Sequence, residues 1–177
     1  MIKYAAFLRG INVGGHHIVK MEDLRGIFAS MNFENVKTYI QSGNVIFETA
    51  ETNADALAEK IERELEKSFG FEIKTMPRTL AGLAEIAARN PFKDAEAGAQ
   101  VYISFLSAAP DAELKDAVVS LSNDFEAFRF RDREMYYLRR PDNPAKDLFS
   151  NNFIEKRLKL AATTRNVTTV NKILLLK

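Results

Sequence analysis

The sequence lacks cysteine and tryptophan, and its 177 residues include only eight glycines and five prolines. Without cysteine, disulfide bonds and every site built on thiolate chemistry are excluded. The low glycine and proline content excludes a collagen-like chain and a low-complexity linker. The longest apolar runs, residues 4–8 and 173–176, are far shorter than the roughly 20 residues that span a bilayer. We therefore expect a cytoplasmic protein with no membrane partner.

An excess of charge of one sign is also missing, since 25 basic residues stand against 24 acidic ones. A protein that mainly binds a phosphate backbone usually has a larger excess of base. The charges are nevertheless uneven along the chain. Residues 1–20 contain three basic residues and no acidic one, and residues 155–177 contain six basic residues and one acidic one. These local basic segments leave an anionic ligand possible.

The apolar residues, which make up 46% of the chain with tyrosine included, are spaced in alternating strand and helix patterns. In the first half, a buried strand over 3–8 precedes a helix marked by Leu24, Phe28 and Met31. The further predicted elements are strands over 36–40 and 45–47, a helix opened by Thr52 and Asn53, and a strand over 71–76 that closes before Pro77. This order is that of the split βαβ, or ferredoxin-like, arrangement.

The same order recurs in the second half, after a connecting helix that Thr79 is placed to cap. The predicted elements there are a strand over 101–106, a helix opened by Asp111, a hairpin of strands 125–130 and 135–138, a helix over 149–160 and a last helix over 167–176. We therefore predict an α+β protein of two tandem ferredoxin-like (βαββαβ) halves, 1–77 and 78–177, with antiparallel sheets packed by helices.

The segment from Arg9 to Lys20 has the densest concentration of residues suited to a binding site. Gly14 and Gly15 allow the backbone to approach a ligand closely, because glycine adopts positive φ without strain. The segment runs from a strand into a helix, so its amides and the two flanking cations favour an anion. It has neither the phosphate-binding motif of a P-loop nor the dinucleotide fingerprint. A tight turn that needs glycine for conformational reasons is the structural alternative.

A second polar segment, Gln41-Ser42-Gly43-Asn44, is expected to lie beside this loop. In the predicted topology the first and third strands are antiparallel neighbours, so the end of one meets the start of the other. The amides of Asn12, Gln41 and Asn44 both donate and accept hydrogen bonds, which suits a polar ligand. An ordinary hairpin turn with glycine and asparagine in it is again the alternative.

The segment from Thr163 to Asn166 has two interpretations. Asn166 is a candidate cap for the last helix, with Thr169 three positions further on. Alternatively, Arg165 and Asn166 close over the loop from the second half, with the guanidinium clamping a phosphate or carboxylate. The candidate ligand-binding residues are therefore Arg9, Asn12, Gly14, Gly15, Lys20, Gln41, Ser42, Asn44, Arg165 and Asn166.

The remaining candidates are weaker. His16 and His17 are adjacent and have no evident third ligand, so we expect neither a metal nor a cofactor. Ser42 and a histidine lack the sequence context of a nucleophile elbow, and no catalytic residue is assigned. The hairpin over residues 128–140 interleaves arginines with phenylalanines and tyrosines, which allows either an RNA-binding surface or an ordinary amphipathic hairpin.

Two amino-terminal motifs, Leu8-Arg9-Gly10-Ile11-Asn12-Val13-Gly14-Gly15 and Thr38-Tyr39-Ile40-Gln41-Ser42-Gly43-Asn44-Val45, carry a family resemblance. Together with Lys20-Met21, Leu24, Phe47 and the tail residues 162–166 and 169–170, they resemble the bacterial domain of unknown function family 1697. The resemblance spans nearly the whole chain. It supports the fold and the candidate site, and it implies no reaction because the family has no established activity.

Three hypotheses follow. The first is a binding protein for a small anionic molecule, phosphorylated or nucleotide-like, at residues 9–20 and 41–44. The second is a nucleic-acid-binding module that uses the hairpin 128–140. The third is a non-catalytic interaction protein whose loops serve only the fold.

Overall fold

The computed structural model describes residues 1–143 and 149–176, in which eight strands alternate with six helices. The strands are β1 (Ile2–Leu8), β2 (Glu34–Tyr39), β3 (Asn44–Thr49), β4 (Thr75–Thr79), β5 (Gln100–Leu106), β6 (Glu126–Arg131), β7 (Glu134–Arg139) and β8 (Ala162–Asn166). The helices are α1 (Met21–Ser30), α2 (Ala54–Phe69), α3 (Leu80–Ala88), α4 (Ala112–Val119), α5 (Asn151–Leu158) and α6 (Val167–Leu175). None of these helices has both the length and the apolar character needed to cross a bilayer.

The chain divides into two compact units, one of residues 1–84 with the residues from Ile173 onward, the other of residues 85–172. The predicted halves were 1–77 and 78–177. The boundary between the compact units falls inside α3, after residue 84, and the residues from Ile173 onward belong to the first unit. The predicted domain boundaries stay a prediction. What the structure establishes is an α+β protein with two four-stranded antiparallel sheets.

The first unit has the strand order β2-β3-β1-β4, and every neighbouring pair is antiparallel. β1 is buried from Tyr4 to Leu8, as its continuous apolar run predicted. α2 buries Leu57, Ile61 and Leu65, which are four residues apart and therefore lie on one face. The predicted cap is confirmed, because the Asn53 side chain accepts from two backbone amides of the first turn.

The second unit has the equivalent strand order β6-β7-β5-β8, again with antiparallel neighbours. Its core joins Leu106 and Phe128 of the sheet to Val118 of α4 and Ile154 of α5. The helices α4 and α5 thus correspond in sequence order to α1 and α2. The strand β8 was not among the predicted elements, which passed from the helix over 149–160 directly to the last helix.

The two sheets are closed at one end by the same set of backbone hydrogen bonds. In each unit, the last residue of the first strand donates to the turn between the second and third strands, and the next residue donates to the segment before the fourth strand. These bonds are Leu8 N to Gly43 O (2.8 Å), Arg9 N to Lys74 O (2.9 Å), Leu106 N to Arg133 O (3.0 Å) and Ser107 N to Ala161 O (3.0 Å).

Two further local predictions were wrong. The strand predicted over 71–76, ending before Pro77, instead runs over Thr75–Thr79 and includes Pro77, which pairs with Ala6. β4 is an edge strand, where a missing N–H removes no hydrogen bond of the ladder. Asp111 stands at the N-cap of α4 but its side chain makes no capping bond, whereas Thr79 accepts from Gly82 N at 3.0 Å as predicted.

Candidate functional site

The segment between β1 and α1 folds back on itself as a small hairpin. His16 N donates to Val13 O at 3.0 Å, and Asn12 N donates to His17 O at 3.1 Å. Gly14 and Gly15 form its tip with φ values of 59° and 78°. A two-residue turn with positive φ at both positions is the type I′ turn that matches the twist of a hairpin. The turn therefore accounts for both glycines.

The amides of the hairpin tip take no part in the hairpin's own hydrogen bonds. Gly14 and Gly15 are exposed, and within residues 1–143 and 149–176 neither N–H has a hydrogen-bond partner. The ideal Cβ position of Gly15 has no atom within 4 Å, and that of Gly14 meets only the His16 ring at 4.0 Å. The tip is therefore open to a molecule that accepts hydrogen bonds.

The Asn12 side chain joins this hairpin to the turn between β2 and β3. Its Nδ2 donates to Val19 O at 3.0 Å and to Gln41 O at 2.9 Å, and its Oδ1 accepts from Val19 N at 2.9 Å. Asn12 itself has a φ of 54°, a conformation that asparagine tolerates better than most residues. The structure thus brings the two predicted segments together and commits Asn12 to holding them.

The turn that follows Tyr39 is packed tightly against the end of β1. A Cβ on Gly43, whose φ is 79°, would lie 2.8 Å from Leu8 Cβ and 2.8 Å from Ile11 Cδ1, so only glycine fits there. Asn44 is fully buried, and its Nδ2 donates to Tyr39 O at 2.9 Å and to Ser42 Oγ at 3.1 Å. Asn44 therefore shapes the turn, and Gln41 presents the exposed amide.

Two cations flank the hairpin. Lys20 is exposed and forms no ion pair with any residue that the structure describes, while Arg9 is half-buried at the end of β1. Lys20 occupies the N-cap of α1 without a side-chain capping bond, and Glu22 and Asp23 occupy the first turn of that helix. These two acids already lie at the positive end of the helix dipole. Lys20 and the tip amides are therefore better placed than the N-terminus of α1 to donate hydrogen bonds to an anion.

The two histidines differ in their surroundings. His17, with φ of 50°, stacks on Phe71 at a centroid distance of 4.3 Å and an interplanar angle of 13°. His16 is exposed beside the tip. Among the described residues, no three side chains of the His, Cys, Asp or Glu type are grouped so that they could hold a metal ion.

Arg165 and Asn166 belong to the second unit. Arg165 lies in β8 with 7% of its surface exposed, and its Nη1 donates to Thr163 Oγ1 and to Thr164 O, both at 2.8 Å. Burial lowers the pKa of Arg165 to about 10, so the guanidinium is charged at neutral pH. The Asn166 side chain accepts from Thr168 N at 2.8 Å at the start of α6, as a cap does. Their predicted closure over the loop stays a prediction.

The basic and aromatic hairpin of β6 and β7 buries three of its four rings, while Phe130 is partly buried. Phe128, Tyr136 and Tyr137 are at most 1% exposed, and Phe128 stacks on Tyr137 at 5.2 Å. Tyr136 donates to Ile86 O at 2.8 Å, and its pKa is raised to about 12, mainly because burial disfavours the charged phenolate. These three rings are therefore not accessible for stacking on a nucleic-acid base.

Sequence reasoning missed the apolar side chains exposed on the same two segments. Val13, Ile18 and Ile40 are 66%, 65% and 49% exposed. The sequence does show apolar residues among the glycine, asparagine and histidine residues of these segments. It does not show which of them are exposed, since Ile11 and Val19 of the same loop are buried in the core.

With its glycine hairpin tied by an asparagine to a second glycine turn, the chain belongs to a family of proteins of unknown function, DUF1697, whose model matches residues 1–136. The chain is also similar in structure to the conserved bacterial protein SP0830 from Streptococcus pneumoniae. The two are 25% identical, with a TM-score of 0.79 over 98% of this chain and 97% of the other. No curated protein matches the sequence.

Proposed function

We propose that the protein binds a small anionic molecule, phosphorylated or nucleotide-like, where the hairpin 9–20 meets the turn 41–44. The observation that carries the proposal is the Asn12 side chain, which hydrogen-bonds both segments at 2.9–3.0 Å. It ties the backbone beside Lys20 to the backbone of Gln41, which supports a binding surface shared by the exposed tip amides, the Lys20 ammonium and the Gln41 amide. A phosphate or carboxylate accepts hydrogen bonds from all three kinds of donor.

The second unit supports the proposal because it lacks a glycine hairpin at the equivalent position. The equivalent end of its sheet has the same closing hydrogen bonds, but only Ser107 to Asp111 connect its first strand to the next helix. The fold therefore closes without a glycine hairpin. An addition that the fold does not require is a reasonable place for a binding function.

Each residue has a distinct part in this proposal. Lys20 and Arg9 neutralise the ligand's charge, and the Gly14 and Gly15 amides donate to its oxygens. Gln41 and Ser42 orient it at the turn. Asn12 and Asn44 act as positioning residues, because their amides are engaged within the two segments.

The proposal is one of binding and assigns no catalytic residue. As a finer description of the architecture, we propose that each unit is ferredoxin-like. The strand orders β2-β3-β1-β4 and β6-β7-β5-β8, with a helix after the first and third strand of each, support this. The cytoplasmic location stays a prediction.

The experiment is a thermal-shift screen of inorganic phosphate, nucleotides and sugar phosphates on the wild-type protein and three variants. We expect at least one phosphorylated compound to raise Tm, because a ligand that binds only the folded state stabilises it. Lys20→Ala and Arg9→Ala should remove most of that shift. The matched control is Lys67→Ala, which removes an exposed lysine from the far end of α2.

Two results would contradict the proposal. One is a screen in which no anion raises Tm at any concentration below the millimolar range. The other is an equal loss of the shift in Lys20→Ala and Lys67→Ala, because this would reduce the effect to nonspecific charge.

A further inference from the structure

Exposed apolar side chains in this protein are concentrated at the proposed binding site. Within the described residues, five large hydrophobic side chains are exposed, and two of them, Met1 and Leu175, are near the chain ends. The other three are Val13, Ile18 and Ile40, on the hairpin and the turn. Isolated exposed apolar residues are common, but a group of them on one surface indicates an interaction site.

The backbone conformation of Ile40 is a second indication that the exposed apolar residues have a function. Ile40 has a φ of 50°, in the left-handed region where a β-branched side chain is strained. Glycine or asparagine would hold the same turn at lower cost. The position therefore carries a large side chain that the local backbone does not favour and that is half exposed to water, which points to a role outside folding.

The three side chains stand next to the groups that Asn12 joins. Val13 follows Asn12, Ile18 precedes Val19, and Ile40 precedes Gln41, and the carbonyls of Val19 and Gln41 accept from the same nitrogen. The three exposed apolar residues thus lie in the same two joined segments as the tip amides and Lys20. An inorganic anion would make no use of them.

We infer, resting on the proposed function, that the ligand is an amphipathic anion: a phosphate or carboxylate head with an aliphatic body. The head contacts Lys20 and the amides of Gly14 and Gly15, and the body covers Val13, Ile18 and Ile40. The charge of the loop between β1 and α1 favours an anionic head, because it contains Arg9 and Lys20 and no acidic side chain before Glu22 and Asp23 of α1. The burial of the aliphatic body supplies affinity that the polar contacts alone do not.

The test is a calorimetric titration of the wild-type protein with inorganic phosphate, butyl phosphate and octyl phosphate below its micellar concentration. Each fully buried methylene is worth about a fourfold gain in affinity. Because the body is only partly enclosed, we expect octyl phosphate to bind at least about tenfold more tightly than butyl phosphate. Ile18→Ser should remove most of that difference and leave the affinity for inorganic phosphate unchanged.

The outcomes separate this inference from the proposed function. If all three phosphates bind with equal affinity, the inference fails and the proposed function stands. If none of them binds, both fail for phosphate ligands, and if octanol binds as tightly as octyl phosphate, the anionic head is disproved. Tighter binding of octyl phosphate that Lys20→Ala and Ile18→Ser both weaken supports the inference.

A second variant uses the strain at Ile40. Ile40→Gly should raise Tm, because the left-handed conformation no longer carries a β-branched side chain, while it weakens octyl phosphate binding about tenfold. Leu175→Ser, which alters an apolar side chain that is 77% exposed elsewhere, should leave that affinity unchanged. A more stable Ile40→Gly protein with wild-type affinity would overturn the role of Ile40 in the site.

Discussion

The end of β1 in the first unit and the end of β5 in the second are each connected to the next helix, but by loops of different length. Both strands are followed by two backbone hydrogen bonds to neighbouring segments, at 2.8–3.0 Å. The second unit then reaches α4 through Ser107 to Asp111 and needs only Asp132 with positive φ in its hairpin turn. The first unit adds a glycine hairpin and places Asn12, His17 and Ile40 in the left-handed region.

The comparison separates what the sheet requires from what has been added to it. The closing hydrogen bonds are common to both units and belong to the fold. The hairpin, its link through Asn12 and the strained Ile40 occur in the first unit only. A local conformational cost without a counterpart in the equivalent position is what a functional site is expected to show.

The largest effect should come from Gly43→Ala. The new methyl group would meet Leu8 and Ile11 at 2.8 Å, and alanine at a φ of 79° is also strained. We expect the free energy of unfolding to fall by about 3 kcal/mol, the combined cost of overpacking and left-handed strain. Urea denaturation of the purified variant measures it.

Gly70→Ala is the matched control, because Gly70 has a φ of 77° but open space around its Cβ position. It should cost only the strain, about 1 kcal/mol. Equal losses in the two variants would show that the close packing of the turn against β1 has no energetic weight.

The next effect tests whether the two units share their framework. A glutamate in the helix before the last strand accepts from the first N–H of that strand in both units: Glu62 from Thr75 N at 2.8 Å and Glu155 from Ala162 N at 2.9 Å. Glu62→Ala and Glu155→Ala should each lower the free energy of unfolding by about 2 kcal/mol, since a charged acceptor is removed from a partly buried donor.

Exposed Glu113 of α4 serves as the control, because Glu113→Ala removes a carboxylate from the first turn of a helix without exposing a strand amide. Its effect should stay within about 0.5 kcal/mol. Losses for Glu62→Ala and Glu155→Ala that differ by several-fold would mean that the shared geometry does not have a shared energetic role.

Much of this framework is predictable from the sequence, because periodicity and caps act locally. The stripe Leu57, Ile61 and Leu65 and the cap Asn53 located α2, and Thr79 located α3. The juxtaposition of loop and turn followed from topology alone. β4 was misplaced because Pro77 was interpreted as a strand terminator, although an edge strand accommodates proline.

The details of the site depend on contacts between distant residues and so were not predictable. Nothing local distinguishes Asn12, which holds two segments together, from an asparagine that faces a ligand. Asn44 was expected to orient a ligand, yet it is buried under the turn. In both cases the partners include backbone carbonyls, which carry no sequence signal.

The smallest effect concerns a charge cluster of the first unit. Lys74, whose carbonyl accepts from Arg9 N, also donates from Nζ to Glu72 at 2.6 Å and to Glu62 at 3.1 Å. These hydrogen bonds, first that to Glu72 and then that to Glu62, raise the pKa of Lys74 above its usual 10.5. The equivalent position in the second unit is Ala161, which carries no charge.

Because the pKa of Lys74 is higher in the folded state, its stabilisation is complete below pH 10.5 and is lost as the pH rises through the folded value. The side chain is 41% exposed, so Lys74→Met should cost only about 0.5 kcal/mol at pH 7. The gap in unfolding free energy between wild type and variant should therefore narrow as the pH is raised above 10.5. A gap that stays constant above pH 10.5 would show that the positive charge of Lys74 does not stabilise the fold. In that case the first unit would be no more sensitive to alkaline pH than the second.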